Sequence, residues 1–160
     1  MRISERAERI EPFWVMEVAK AASQKAREVA HTDRPVVFLN IGEPDFTAPP
    51  RVQAAAQAVV ASGQTQYTPA LGLDALRQAI SGWYTQRFGV QVPASRIVVT
   101  AGASAALQLA CLALIDRGDE ILMPDPSYPC NRHFVSAAEG KAVLVPTTAE
   151  ERFQLSAAKV

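Results

Sequence analysis

Cysteine is scarce in this sequence: among 160 residues only Cys111 and Cys130 carry thiols. They do not form a C-x-x-C pair and no histidine pair lies beside them, so neither a zinc site nor a disulfide framework is readable, and two reduced thiols are expected. Net charge is missing too. Sixteen basic and sixteen acidic side chains cancel, and no block of like charge stands out. That removes the electrostatic footprint of a nucleic-acid binder or of a protein held on an anionic membrane. Long apolar runs are also lacking: the longest, Ala105 to Ile115, is far too short to span a bilayer. The N-terminal stretch MRISERAERIEPFW is charged and has no apolar centre of the kind a signal peptide needs. His31 and His133 fall in no ligand or triad spacing, and no metal site is expected. Together these absences point to a cytoplasmic protein whose partner is a small molecule.

What is present is an ordinary globular composition, 49% hydrophobic and 20% charged, enough for the core of one domain. Val15, Val18, Ala19, Ala22, Ala26 and Val29 recur at helical spacing on one stripe, closed near His31-Thr32-Asp33. Pro35 to Leu39 reads as a short strand that runs into a Gly- and Pro-containing turn from Asn40 to Phe46. Val52, Ala55, Ala56, Val59 and Val60 share a helical face that ends at Gly63, a residue suited to a left-handed cap. Leu73, Leu76, Ile80, Trp83, Tyr84 and Phe88 mark the next helix, stopped by Gly89, with the aromatic residues expected in a core. Strand Ile97–Thr100, a buried helix Ala105–Ile115, strand Glu120–Met123, helix Ser127–Ala138 and strand Ala142–Val145 follow. Alternating strands and helices predict an α/β fold: the start of a mostly parallel sheet flanked by helices, preceded by an N-terminal helical arm.

Chemistry is concentrated where strand Ile97–Thr100 turns into the following helix. The first N–H groups of a helix have no internal partner and its dipole adds positive potential, so an anion suits that end. Gly102 allows a sharp turn and close approach of a ligand. Ala103 and Ser104 offer backbone donors, and the Ser104 hydroxyl offers one more. The same serine would also serve as a simple N-cap, and the glycine as mere turn geometry.

The runs Asn40-Ile41-Gly42-Glu43-Pro44-Asp45-Phe46, Tyr67-Thr68-Pro69-Ala70-Leu71-Gly72, Thr100 to Leu107 and Asp119 to Pro129 occur in an order and at separations that resemble the class I/II aminotransferases, fold-type-I enzymes dependent on pyridoxal phosphate. The likeness covers nearly all of residues 12 to 146. It implies that Gly102, Ala103 and Ser104 hold the cofactor phosphate and that Tyr128 stacks on the pyridine ring, where an aromatic face suits a flat heterocycle. It implies that Tyr67 reaches the phosphate of the partner subunit, and that Gly42 lies against the substrate α-carboxylate. Each residue keeps a plainer alternative: Gly42 as a turn former, Tyr67 as a loop ring packed on a helix, Tyr128 as a core tyrosine.

The resemblance further implies a homodimer using an amino acid and a 2-oxo acid in amino acid metabolism. Residues 1–45 would be an N-terminal arm and small-domain segment, and residues 46–160 the N-terminal portion of the cofactor-binding large domain. The lysine that bonds the cofactor, the aspartate on its ring nitrogen and the arginine on the substrate carboxylate are expected later than residue 160; the resemblance implies a Ser-x-x-Lys context for that lysine, and none of Lys20, Lys25, Lys141 and Lys159 is expected in one. The chain is therefore expected to be the inactive N-terminal fragment of an enzyme, with no catalytic residue of its own. A carbon–sulfur lyase or decarboxylase of the same cofactor group shares these motifs, and a non-catalytic interaction domain remains the alternative if the native chain stops at 160.

Overall fold

A computed structural model describes residues 2–160. In chain order its elements are α1 (Glu5–Glu8), α2 (Trp14–Glu28), α3 (Pro50–Ala61), α4 (Asp74–Phe88), a 3-10 turn (Ala94–Arg96), α5 (Gly102–Leu114), β1 (Glu120–Asp125), α6 (Cys130–Ala137) and β2 (Lys141–Pro146). They are divided between two compact units, one made of Met1–Gly42 with Ala103–Val160 and the other of Glu43–Gly102. The chain is α/β with a parallel strand pair, as the alternation of elements predicts.

The first unit is built on β1, α6 and β2. The strands pair in parallel from Glu120 opposite Lys141 to Asp125 opposite Pro146, and α6 makes the crossover. Helix α6 turns Val135 into the core, where it is 1% exposed. Gly140 then leads into β2 at close quarters: a Cβ there would fall 2.6 Å from Ile115 Cγ2 and 3.0 Å from Val135 Cγ1. Beyond the strands, Thr147 is buried and donates twice to the Asp125 carbonyl, from its amide at 2.8 Å and its hydroxyl at 3.1 Å. The helix expected from Ser127 begins only at Cys130, because Pro126 and Pro129 hold the preceding residues in a turn.

Val15, Ala19, Ala22 and Ala26 of α2 and Val29 at its C-cap, five of the six residues of the predicted stripe, are half-buried, while Val18 is exposed. Helix α1, absent from the sequence expectations, is a single turn capped by the Ser4 hydroxyl, which accepts from the Ala7 amide. Pro35–Leu39, expected as a strand, has no regular secondary structure, and no described strand lies beside it. Helix α5 corrects a second expectation. It is apolar nearly all round yet has no buried residue, and Leu114 is 81% exposed. Composition shows that a helix wants cover on every side; the described residues supply little.

The second unit carries α3 and α4. Gly63 (φ +70°) follows α3 in the left-handed region foreseen for it, and Gly89 (φ +67°), expected to stop α4, ends it in the same region. Trp83, Tyr84 and Phe88 do not form a core: Trp83 is 52% exposed. They pack on one another edge-on instead, with Trp83 centroids 5.4 Å from Tyr84 and 5.1 Å from Phe88. The stretch Ile97–Thr100 is not a strand. Ile97 is extended and buried, the Val99 amide donates to the Leu71 carbonyl at 3.1 Å, and no ladder joins the stretch. A strand is defined by its neighbour, and none of the described residues provides one here.

Candidate functional site

The turn at Gly102 is made by its own backbone. Gly102 has φ +83°, a conformation that side chains disfavour, and a Cβ placed on it would meet nothing within 4 Å. The Gly102 amide donates to the Thr100 carbonyl at 2.8 Å, and the Thr100 hydroxyl donates to the Gly102 carbonyl at 2.8 Å. This small knot ties off the extended approach and starts a helix of 13 residues. Among the described residues the amides of Ala103 and Ser104 have no hydrogen-bond partner, and both residues are exposed. Two backbone donors, a free hydroxyl and the positive end of a helix therefore face open space, a donor set that fits a phosphate dianion.

Tyr128 stands in the turn before α6. Its ring meets Phe13 edge-to-face at 6.5 Å and 72°, and the side chain remains 55% exposed. A hydrogen bond with the Cys130 thiol raises its phenol above the ordinary 10.0, aided by the charge of Cys130 and by desolvation. No hydrogen bond among the described residues joins Tyr128 to the 102–104 turn. The Tyr67 ring is fully exposed, at 107% of its reference area. Gly42 is exposed with φ outside the left-handed region, and a Cβ there would touch nothing. Two positions before it, the Asn40 side-chain nitrogen is buried without a partner. That orphaned donor was not singled out from the sequence, in which an asparagine before a glycine reads as turn chemistry.

Lys159 corrects a further expectation, because it does stand in a Ser-x-x-Lys context. It follows Ser156 by three positions, the Ser-x-x-Lys spacing expected of the cofactor's lysine. Its ammonium is committed elsewhere, donating to the Glu151 carboxylate at 2.6 Å and to the Pro146 carbonyl at 2.8 Å. A charged, paired amine has no free lone pair with which to attack a carbonyl. Among the described residues no cluster of three metal-ligating side chains forms, and no helix is long and apolar enough to cross a membrane.

Known proteins similar to this chain in sequence and fold are aminotransferases. The family model "Aminotransferase class I and II" matches residues 34–160. Valine–pyruvate aminotransferase of Mycobacterium tuberculosis is 40% identical over 148 residues, covering 92% of this chain and 37% of that protein. Aspartate aminotransferase of Pyrococcus horikoshii is 33% identical, over 87% of this chain and 36% of that protein. Among solved structures, an aminotransferase from Mycobacterium tuberculosis superposes with a TM-score of 0.90 at 39% identity, over 99% of this chain and 40% of its own. Aspartate aminotransferase from Thermus thermophilus with maleate gives 0.86 at 32% identity, over 99% and 41%. The chain thus spans about two fifths of the length of these relatives. On sequence and fold alike, it belongs to the class I and II aminotransferase family.

Proposed function

We propose that this chain carries the phosphate and ring portions of the cofactor site of a pyridoxal-phosphate-dependent aminotransferase, which moves an amino group between an amino acid and a 2-oxo acid. The observation that carries this reading is the pair of unpartnered amides at Ala103 and Ser104, delivered by left-handed Gly102 at the head of α5. When bound, the cofactor supplies an electron sink for negative charge at the substrate α-carbon.

The residues of this chain act around it. Ala103 and Ser104 give backbone N–H groups to the phosphate and Ser104 adds its hydroxyl; Gly102 keeps the approach clear of a side chain. The exposed Tyr128 ring covers the pyridine face, with Phe13 against it to fix its tilt. Tyr67, wholly exposed, extends its hydroxyl to the phosphate held by a second subunit, so the working assembly is a homodimer. Gly42 lets its backbone lie along the substrate carboxylate. The maleate that accompanies the Thermus thermophilus enzyme is a dicarboxylate, in keeping with carboxylate recognition in such a relative.

The same reading assigns residues 1–45 to the arm and small domain and 46–160 to the large domain, and places the protein in the cytoplasm. It assigns no catalytic lysine to this chain, because Lys159 is engaged by Glu151. The 160 residues alone should then bind phosphate weakly and turn nothing over. The test is a pyridoxal phosphate titration of the full protein and of Ser104→Ala, with an expected weakening of about tenfold for one lost hydrogen bond to a charged group. Equal affinity in the two proteins, or steady transamination by the 160-residue chain, would overturn the proposal.

A further inference from the structure

Among the described residues no strand lies beside the segment that delivers Gly102, and side-chain hydrogen bonds from the same unit reach its backbone. The guanidinium of Arg77, on α4, spans two backbone carbonyls 17 and 20 positions further along the chain. Nε donates to Ala94 O at 3.1 Å and to Ile97 O at 3.0 Å, and Nη2 donates to Ala94 O at 2.6 Å. The Ala94 carbonyl also accepts from the Ile97 amide at 3.1 Å, which closes the 3-10 turn. Arg77 is half-buried and Ile97 is buried beside these bonds. Downstream, one backbone bond from Val99 to Leu71 and the Thr100–Gly102 knot complete the path.

Resting on the reading of the 102–104 turn as the phosphate site, we propose that Arg77 is a positioning residue for that turn: it clamps the 94–97 backbone and so sets where the amides after Gly102 point. It does not touch the ligand. Two of its nitrogens, Nε and Nη2, donate to carbonyls, and a planar guanidinium holds two acceptors in fixed directions, which a lysine ammonium does not. Donors held in place bind an anion more tightly than donors that must first be ordered, so loosening the approach should weaken phosphate recognition in particular.

The experiment measures pyridoxal phosphate and pyridoxal, which lacks the phosphate, on the full protein and on Arg77→Gln, Arg77→Lys and Ser104→Ala. The expected result for Arg77→Gln is about a tenfold loss of pyridoxal phosphate affinity, the scale of one charge-assisted bond, with pyridoxal affinity kept. Arg77→Lys, which keeps the charge and serves if the glutamine variant folds poorly, should show a smaller loss with the same selectivity. Equal losses for both ligands would make Arg77 an ordinary fold residue and overturn the proposal. An unchanged Arg77→Gln beside a weakened Ser104→Ala would overturn it while leaving the site reading intact. If both variants bind as the parent does, the site reading falls and the positioning role falls with it.

Discussion

Gly72 sits against Val99 so closely that a Cβ on it would lie 2.6 Å from both Val99 Cβ and Cγ2, and its φ of +93° is one that side chains rarely adopt. The contact joins the end of the Tyr67 loop to the extended approach to Gly102, beside the bond from the Val99 amide to the Leu71 carbonyl. Substitution by alanine meets two costs at once, a left-handed backbone and an overlap with a branched side chain. Gly72→Ala is expected to destabilise the protein by about 2–4 kcal/mol. Denaturant unfolding of the full protein checks this, and a change within error would show that the loop yields freely.

The first unit has an equally specific point at Val135, 1% exposed between α6 and β2. Val135→Ala removes two buried methyl groups and should cost about 2 kcal/mol. A midpoint equal to the parent's in the same unfolding experiment would contradict the burial.

Tyr128 and Cys130 provide a titration. The thiol hydrogen bond, with smaller help from the charge of Cys130 and from desolvation, holds the phenol above 10.0, so the neutral tyrosine is favoured in the folded protein. Any stability from this shift is complete below the unfolded phenol value and fades as pH rises through the folded one. Cys130→Ala should lower the Tyr128 midpoint toward the ordinary phenol range. Phenolate absorbance followed against pH reads this directly, and an unmoved midpoint would remove the thiol as the cause.

Glu151 moves in the opposite sense. The Lys159 side-chain bond, followed by the Thr148 amide at 2.9 Å, lowers its carboxyl below 4.5. The resulting stability is present above the unfolded value and is lost as pH falls through the depressed one. Lys159→Gln should raise the Glu151 midpoint and soften the acid dependence of unfolding. Side-chain carbonyl NMR across the acid range measures the shift; the same midpoint in both proteins would show that the ion pair does not hold in solution.

Sequence and structure agree best where a local rule has one solution. Gly63 and Gly89 end helices because each adopts a left-handed backbone there. The two apolar runs that became β1 and β2 pair with each other inside the chain, so their reading needed nothing from outside. Where the neighbour is missing, the reading fails: Ile97–Thr100 and Pro35–Leu39 have strand-like composition and no ladder, and α5 has a core helix's composition with exposed leucines. Periodicity shows that a face wants cover, but it does not say what covers it. At the candidate site, the Gly102 turn was legible as a sharp bend entering a helix, a local motif. The Arg77 clamp was not, because a side chain that reaches backbone carbonyls 17 and 20 residues away leaves no pattern in sequence.

The parallel pair β1–β2 joins Glu120 to Lys141, partners 21 positions apart, with α6 lying between them. Such a span is short for parallel strands, and the entropy lost in closing it is correspondingly modest. Both partners of the pairing lie between residues 120 and 146, so the ladder closes a short loop and draws on no distant part of the described chain.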